Sequence, residues 1–562
     1  MHKGWLPRPW TVLAWFAGIT LLLPVLALFF EAFSFDTWSF ETWSFEELSP
    51  GTEVFSHLWD TVLIDYISNT VLLVFWVALL SVIFGLPVAW LMAMCQFPGR
   101  KWLQWAMMLP LAMPSYLIAY VYTDLFDYAG LIQTSLRGWF GWQSPADYAF
   151  FEIRSLGGAA TMLALVLFPY LYLIVRTSLA EQSYQLIHAS RVMGCKPWES
   201  FFKVSLPMVR GAIVVALALI GMETLADFAT VHYFAVNTLT TAVYDTWLGY
   251  NSLTAAAKIS VMMLVLVFLF IGLERYSRAQ QAVYERQSKQ DNDFLYRLTG
   301  IKAVMATLWC LTILFFAFVL PMLVLTGYAI DNVDVAWNSD FFRFAGVSFS
   351  IAATVAVITV IISLLILSNQ RDSNTHEQKW FNRLPSIFAS TGYALPGTVL
   401  AIGVLIPLTS LDFALNEVLD KWMQWQPGLI LSGSVFAIIF AYVVRFNAVA
   451  VGAIESSYSK ISPSIDMVSK TLGLGRFKLM WLVHLPLLKR GCLTAALLVF
   501  IESMKELPAA LLLRPFDFET LATYVYQYVS DEQLENASIA ALTIVLVGLL
   551  PLIVINRMTV KH

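Results

Sequence analysis

Runs of about 20 apolar residues recur along this chain from near its start to near its end. A run of that length crosses the hydrocarbon core of a bilayer as an α-helix, in which the backbone satisfies its own hydrogen bonds. The sequence therefore predicts an all-α polytopic membrane protein with about twelve transmembrane helices. The predicted spans are 10–30, 70–94, 102–124, 157–176, 211–235, 256–273, 303–328, 346–368, 386–408, 428–448, 491–513 and 537–555.

Composition excludes a soluble protein. The chain is 59% hydrophobic and only 13% charged, whereas soluble proteins carry about 25% charge. The four cysteines have no CxxC or metal-ligand spacing, so neither a disulfide framework nor a zinc site is predicted. No nucleophile and base constellation appears either, and we expect no enzymatic activity, no metal site and no nucleic-acid partner.

The distribution of positive charge predicts the orientation, because Lys and Arg are retained on the cytoplasmic side of a membrane. A polar stretch at 275–297 separates two sets of six spans. With the N-terminus inside, cytoplasmic segments and their helix ends hold all 34 basic residues except Arg137, Arg154, Lys258, Arg343, Lys421, Lys505 and Arg514. An even number of spans then places both termini in the cytoplasm.

The chain is internally duplicated. The first repeated segment, Ile187–Pro207, and the second repeated segment, Asp466–Pro486, both contain a Gly followed after nine residues by Val-x-Leu-Pro. The two copies are 279 positions apart, and each lies between predicted spans on the cytoplasmic side. Because an even number of spans separates them, the two halves have the same orientation and are related by an axis along the membrane normal.

Each repeated segment is predicted to contain a short amphipathic helix. Gly194 allows a left-handed turn, Pro197 suits the first turn of a new helix, and the Leu-Pro is expected to end that helix. Helical spacing places four side chains on one face in each copy: Trp198, Phe201, Phe202 and Ser205, and Phe477, Met480, Trp481 and His484. Such a helix can lie on the membrane surface or dock into a cytosolic protein, and its duplication favours a two-fold partner.

Acidic residues lie inside apolar runs in both halves. Glu223 is predicted near the middle of the bilayer, with Asp227 one turn further on the same face, and Glu502 and Glu506 repeat this arrangement 279 positions later. An intramembrane carboxylate is costly and is by default a functional candidate. Three roles remain open: a translocation pathway or gate, structural pairing with the nearby Lys505 or Arg514, and direct coordination of a hard cation.

Prolines inside the spans are a further paired feature. Pro110 and Pro114 interrupt one predicted span and Pro396 interrupts the corresponding span of the second half. The freed backbone groups must be satisfied by a neighbour or a cavity. We therefore expect bends that line the pathway, with simple packing kinks as the alternative.

The Gly and Leu-Pro pattern resembles the EAA loop of type I ABC importer permeases, the coupling helix that docks into each ATP-binding subunit. The chain departs from the family by having His188 and Met467 where a Glu is usual. The resemblance implies two parallel six-helix type I permease repeats and a separate ATPase dimer on the cytoplasmic side. It assigns the ATPase coupling to His188, Ala189, Gly194, Leu206, Pro207, Met467, Gly473, Leu485 and Pro486.

Further stretches narrow this resemblance. Residues 114–142, 152–160, 393–403 and 505–526 are similar to the fused two-copy permeases of ferric-iron importers, and the similarity runs from about 60 to 556. It implies a bacterial inner-membrane permease that works with a periplasmic iron-binding protein, with thiamine or another small solute as the alternative cargo. The implied domains are an N-terminal helix and acidic periplasmic loop (1–64), a first permease domain (65–274), a cytoplasmic linker (275–302), a seventh helix with a periplasmic loop (303–344) and a second permease domain (345–556).

The absence of an ATP-binding motif indicates where the energy for transport comes from. The chain has no GxxxxGK[ST] phosphate-binding loop, so we expect it to hold no cofactor and its partner subunit to bind the ATP. The alternative is an ion-coupled secondary transporter that uses the intramembrane carboxylates Glu223, Asp227, Glu502 and Glu506 for proton coupling. The duplicated cytoplasmic segment favours the ATP-driven class, because a secondary carrier has no evident need for it.

Overall fold

The computed structural model describes residues 9–33, 50–180, 187, 189–190, 192–281, 296–371, 376–472 and 475–559. Most of these residues are helical, which confirms the predicted all-α class. In this described part the strands are β1 (Cys95–Gln96) and β2 (Tyr296–Arg297), which pair in parallel with Cys95 opposite Tyr296. This pair ties the end of the linker between the halves to the turn that follows the second predicted span.

Eleven helices are described in the first half. They are α1 (Pro9–Phe33), α2 (Pro50–Thr61), α3 (Leu63–Met94), α4 (Arg100–Ala106), α5 (Ser115–Phe126), α6 (Leu131–Phe140), α7 (Leu156–Ala180), α8 (Pro197–Ala226), α9 (Ala229–Tyr233), α10 (Leu239–Leu248) and α11 (Leu253–Gln281). Short 3₁₀ turns lie at Leu109–Ala112 and Pro145–Asp147.

The second half repeats the pattern. Its helices are α12 (Ile301–Asp331), α13 (Val333–Ala336), α14 (Ser339–Arg371), α15 (His376–Ser390), α16 (Gly397–Met423), α17 (Val435–Tyr458), α18 (Pro463–Thr471), α19 (Phe477–Lys505), α20 (Pro508–Leu513), α21 (Leu521–Ser530) and α22 (Ser538–Thr559). Further 3₁₀ turns lie at Gly392–Ala394 and Leu534–Ala537.

The number of candidate membrane crossings in the described ranges is close to the predicted number of about twelve. Ten helices in the described ranges are long and apolar enough to cross a bilayer, and the bent pair Arg100–Ala112 and Ser115–Phe140 raises the number to 11. The twelfth predicted span corresponds to α22, which is apolar up to Leu550 at least. The chain is therefore polytopic.

Four predicted spans are interrupted. Two of the interruptions lie at prolines where a bend was predicted, and the predicted limits of the other two spans were wrong. The predicted helix at 102–124 bends by 91° near Pro114, and the one at 386–408 divides between α15 and α16 around Pro396. The predicted helices at 211–235 and 491–513 end at Ala226 and Lys505. Mean apolarity cannot reveal the breaks after Ala226 and Lys505, because the residues on both sides of each break are equally suited to the membrane.

The helices group into two compact units. Unit 1 comprises Met1–Ser56, Val243–Val261 and Ser339–Tyr524, and unit 2 comprises His57–Ala242, Met262–Asn338 and Val525–His562. In unit 1, α1 packs against α14, α15 and α16, and in unit 2, α12 packs against α5 and α22. Each unit therefore combines the core of one sequence half with a spanning helix from the other half.

Close packing of α1 in unit 1 depends on a glycine. A Cβ atom at Gly18 would lie 2.9 Å from Pro385 Cα and 3.2 Å from Pro385 O. Both are backbone atoms of α15 and cannot rotate away. Gly18 thus permits the contact that joins the first helix of the chain to the second half.

We expect Gly18→Leu to destabilise the protein by about 1–3 kcal/mol, the usual cost of overpacking a close contact. The measurement is the melting temperature of the purified chain in mild detergent. Gly327→Leu is the matched control, because Gly327 also lies inside a spanning helix but a Cβ atom added there would have no neighbouring atom within 4 Å. Equal melting temperatures for the two variants would contradict the packing of α1 on α15.

Candidate functional site

The first repeated segment has the predicted turn geometry. Gly194 has a φ of +84°, in the left-handed region, and Pro197 occupies the first turn of α8. Ala189 and Met467 are both exposed, and Met467 is 64% accessible. His188 and Gly473 lie outside the described residues.

The predicted end of the helix at Leu-Pro is wrong in both copies. The helix continues through Leu206 and Pro207 because the preceding residues Phe201–Ser205 form a π turn. The Leu206 N–H donates to Phe201 O, five residues back. The wider turn removes the clash between a proline ring and the carbonyl four residues earlier. The repeated segment and the spanning helix are consequently one continuous element.

The same solution occurs three times in the described chain. Met480–His484 forms a π turn before Leu485-Pro486, and Phe315–Val319 forms one before Leu320-Pro321. In a π turn each N–H donates to the carbonyl five residues earlier. Proline has no N–H, so the carbonyl five residues before it needs another donor. In α12 that carbonyl belongs to Phe316, and Tyr122 donates its hydroxyl to it at 2.6 Å. The Leu-Pro pair therefore marks a widened turn inside a helix.

The predicted four-residue face of each segment divides into two faces. Phe201, Ser205, Met480 and His484 are buried, whereas Trp198, Phe202, Phe477 and Trp481 are exposed. The exposed aromatics form one pair in each half, with ring centroids 5.0 Å apart in the first and 6.0 Å apart in the second. Their positions correspond at the 279-residue spacing of the repeat. Both halves thus present an equivalent aromatic pair outward.

A charged network, which the sequence did not predict, fastens the second repeated segment. Arg371 at the end of α14 donates to Asp466 Oδ2 at 2.5 Å, and His484 Nε2 lies 2.7 Å from Asp466 Oδ1. The Arg371 guanidinium also donates to Tyr458 O and Ile461 O at 2.9 and 2.8 Å. The Tyr458 hydroxyl lies 2.8 Å from His484 Nδ1. Four helices therefore meet at Asp466.

The network also keeps Asp466 ionised. Partial burial by itself would raise the pKa of this carboxyl, but the hydrogen bonds and charges of Arg371 and His484 hold the pKa below its ordinary value. A lowered pKa in the folded state means that the interaction stabilises the protein at neutral pH and is lost only as the pH falls through that lowered value.

In the first repeated segment, hydrogen bonds between neutral groups take the place of the charged network. Ser190 Oγ lies 2.7 Å from Ser200 Oγ and donates to Ile187 O at 2.7 Å. Ile187 and Ser205 stand 279 positions before Asp466 and His484. The duplication therefore keeps the geometry of the segment and varies its chemistry.

Two of the four predicted intramembrane carboxylates lie at helix breaks. Asp227 and Glu506 follow the last residues of α8 and α19 with nearly identical extended dihedral angles, φ −73° and ψ 122° for Asp227 and φ −68° and ψ 119° for Glu506. The prediction that Asp227 lies one turn further on the same helix face as Glu223 is wrong. Both acids instead connect a long helix to a short one.

Each of these acids accepts hydrogen bonds from the short helix that follows it. Thr230 N–H donates to Asp227 Oδ1 at 3.0 Å, and Ala509 N–H donates to Glu506 Oε1 at 3.2 Å. A carboxylate at a helix start satisfies amide groups that would otherwise be unpaired in the membrane. The sequence predicted functional acids, and the structure gives them a capping role at the breaks.

The two acids also lie beside the proline bends, where the predicted interruptions at Pro114 and Pro396 are confirmed. Ser115, which follows Pro114, donates its hydroxyl to Asp227. In the second half, Arg445 Nη1 lies 3.2 Å from Glu506 Oε1, and both side chains are largely buried. Asp227 is therefore held by hydroxyl and amide groups, and Glu506 by a cation and an amide group.

Gly397, which follows Pro396, leaves space for this ion pair. A Cβ atom at Gly397 would lie 2.7 Å from both Arg445 Nη1 and Glu506 Oε1. The first half carries Ser115 at the corresponding position, beside the shorter Asp227. The longer acid and its arginine thus require the smaller neighbour.

The structure also describes the other acids and cations that the sequence singled out. Glu502 Oε1 is 3.7 Å from Lys505 Nζ, and the Glu502 side chain is 42% exposed. Arg514 pairs with Glu519, and Glu223 is half-buried. Throughout the ranges that the structure describes, no group of three or more His, Cys, Asp or Glu side chains is arranged to hold a metal ion.

A second pair of repeated stretches has matching hydrogen bonds. Thr70 Oγ1 accepts from Leu239 N–H at 2.9 Å in unit 2, and Ser348 Oγ accepts from Leu521 N–H at 2.7 Å in unit 1. These contacts fix the start of α10 and α21 against α3 and α14, respectively. Residues 238–244 (TLTTAVY) and 520–526 (TLATYVY) have similar sequences, and this similarity therefore corresponds to a similar local structure.

Unit 2 also contains a partly open pocket of about 610 Å³. Its lining is mostly apolar and aromatic, including Phe84, Phe126, Met162, Trp309 and Phe316. A cation or an anion has little polar surface to follow there. The polar breaks at Asp227 and Glu506 are better candidates for the solute pathway.

The sequence matches a known family over both halves. Residues 85–280 and 373–561 each match the family described as the binding-protein-dependent transport system inner membrane component. The matched residues cover more than half of the chain, and the chain belongs to this family. It is accordingly a multi-pass permease of a binding-protein-dependent ABC importer, with the permease domain present twice, and is not an enzyme.

Several relatives match this chain over most of its length. An Fe(3+)-transport system permease protein of Haemophilus influenzae is 26% identical over 88% of this chain and 90% of its own. A thiamine transport system permease protein of Salmonella typhimurium is 23% identical over 90% of this chain and 92% of its own. A ferric transport system permease protein of Actinobacillus pleuropneumoniae is 22% identical over 84% of this chain and 67% of its own.

We expect Gly397→Ser to destabilise the chain by about 1–3 kcal/mol, because the added side chain must displace the buried Arg445 and Glu506. The melting temperature in detergent measures this effect. Gly346→Ser serves as the control, since no atom lies within 4 Å of a Cβ at that helical glycine. An unchanged melting temperature for Gly397→Ser would show that the ion pair is not confined as described.

Proposed function

We propose that this permease carries ferric iron across the bacterial inner membrane, with a periplasmic iron-binding protein delivering the cargo and a separate ATPase dimer supplying the energy. The observation that carries the substrate assignment is the match over nearly the whole of both chains to the Haemophilus Fe(3+) permease. In this proposal both termini are cytoplasmic, residues 65–274 and 345–556 form the two permease domains, and the ATP is bound by the partner.

The two repeated segments are the proposed contact with the ATPase. Their exposed aromatic pairs, Trp198 with Phe202 and Phe477 with Trp481, are equivalent in the two halves, as contact with a symmetric dimer requires. Exposed aromatic side chains of this kind contribute much of the free energy at protein interfaces. Because α8 and α19 are continuous through their Leu-Pro pairs, a displacement of either segment reaches the middle of the membrane.

The usual glutamate of the family is replaced here by exposed apolar groups in the second segment. Met467, Val468 and Leu472 are 64%, 58% and 74% accessible, respectively. A buried cation of the partner would remain unpaired against this surface, which is unfavourable. We therefore propose that the partner ATPase presents an apolar cleft to this part of the second segment.

The proposed pathway makes weak contacts with its cargo. Glu506 is paired with Arg445 and Asp227 is satisfied by hydroxyl and amide donors, so neither acid presents a set of free ligands for iron. Weak contacts suit transport, because a tight site would retain the ion. Movement of the capped short helices at the two breaks is the proposed means of alternating access.

We expect vesicles that contain the permease, its ATPase and its binding protein to accumulate radiolabelled ferric iron, and to do so only when ATP is supplied on the side that carries the ATPase. Radiolabelled thiamine is the competing cargo, because a thiamine permease is also a relative. Accumulation of thiamine without iron would overturn the substrate assignment. Uptake that proceeds without ATP would instead support an ion-coupled carrier.

Replacing both exposed aromatics of one segment should weaken ATPase association. We expect Trp198→Ala/Phe202→Ala, and separately Phe477→Ala/Trp481→Ala, to reduce the affinity by roughly 30-fold or more, since an interface hot spot contributes about 2 kcal/mol. Copurification and titration in detergent measure the affinity. Phe268→Ala, which removes an exposed aromatic from the spanning helix α11, is the control, and an equal affinity for all variants would contradict the docking surface.

A further inference from the structure

The second half contains a mechanical connection that begins at Asp466. This residue contacts Arg371 at the end of α14 and His484 in α19, and the same arginine contacts carbonyls that follow α17. An arginine that donates to a carboxylate and to several carbonyls fixes both distance and orientation. The side chains of Asp466 and Arg371 together thus hold the second repeated segment to three spanning helices.

The helices α17 and α19 contact each other at two levels, one at the repeated segment and one at the break near Glu506. At the repeated segment, the Tyr458 hydroxyl lies 2.8 Å from His484 Nδ1. At the break, Arg445 pairs with Glu506 at 3.2 Å, and Tyr442 donates its hydroxyl to Glu506 O at 3.0 Å. His484 and Glu506 are 22 residues apart, or about 33 Å along a helix. Hydrogen bonds and an ion pair therefore hold the two helices together at both levels.

Exposure separates Asp466 from the docking surface. Its side chain is 16% exposed and turned towards Arg371 and His484, whereas the next residue, Met467, is 64% exposed. A residue with this orientation acts within the permease. The corresponding position in the first half is Ile187, and its segment depends on the neutral Ser190 and Ser200 contact, which is weaker than a charge-assisted one.

We propose that Asp466 is a positioning residue that locks the second repeated segment to α14, α17 and α19, so that movement of the ATPase is transmitted as a rigid displacement to the break at Glu506. This inference rests on the proposed ATP-driven function. The two halves then differ in rigidity. In the second half the ionic contacts of Asp466 transmit the movement, and in the first half the weaker contact between Ser190 and Ser200 allows more relative movement.

The test measures the solute transported per ATP hydrolysed in vesicles that contain permease, ATPase and binding protein. We expect Asp466→Asn to lower this ratio by about tenfold, because hydrogen bonds to charged groups contribute more than neutral ones. ATPase affinity should remain at the wild-type value, since the exposed surface is unchanged. Arg371→Lys should have the same effect, because a lysine keeps the charge and cannot replace the several donors of the guanidinium.

Three further variants sharpen the interpretation. Asp466→Glu retains the charge and should restore part of the ratio. Ser464→Ala, an exposed position on the same helix, is the matched control and should leave it unchanged. If Asp466→Asn or Arg371→Lys does not accumulate as folded protein, His484→Gln replaces it under the same criteria.

A wild-type ratio in Asp466→Asn and Arg371→Lys would overturn the inference. Loss of ATPase affinity in Asp466→Asn at an unchanged melting temperature would also overturn it, because Asp466 would then belong to the docking surface. The ratio is measured with whichever solute the wild-type protein transports. A wild type that carries thiamine would therefore contradict only the proposed cargo, and the role of Asp466 would still be decided.

Discussion

Every backbone amide in the membrane must have a hydrogen-bond partner, and this constraint decides where the helices of this permease can break. Two of the breaks occur where a carboxylate is present to accept from the following helix: Asp227 before α9 and Glu506 before α20. The same carboxylates lie against the residues that follow the proline bends, Ser115 and Gly397. The polar centre of each half is thus built from one capped break and one proline bend.

Continuity is the counterpart of these breaks. The Leu-Pro pairs at Leu206-Pro207 and Leu485-Pro486 would ordinarily end a helix, yet the preceding π turns keep α8 and α19 intact. Each repeated segment is therefore joined without a hinge at the proline to the acid-capped break at the far end of its helix. The positions of the breaks and of the continuous helices together define a path for movement across the membrane.

The duplicated halves share their backbone arrangement and differ in their side chains. Asp227 is satisfied by hydroxyl and amide donors, whereas Glu506 is paired with Arg445 beside Gly397. The same contrast appears at the repeated segments, where Ser190 and Ser200 stand against the Asp466 network. In a fused chain each half can change its side chains independently, and such differences arise without loss of the common fold.

The sequence by itself determined the all-α membrane class, the duplication, the left-handed turn at Gly194 and the bends at Pro114 and Pro396, because apolar run length, spacing and proline stereochemistry are local properties. Tertiary structure alone decided that Arg445 pairs with Glu506 and that Arg371 and His484 converge on Asp466, since these partners are brought together by helix packing across long sequence separations. It also decided that half of each predicted aromatic face is buried, because a periodic pattern places side chains on a face and only the neighbouring helices determine which of them are covered.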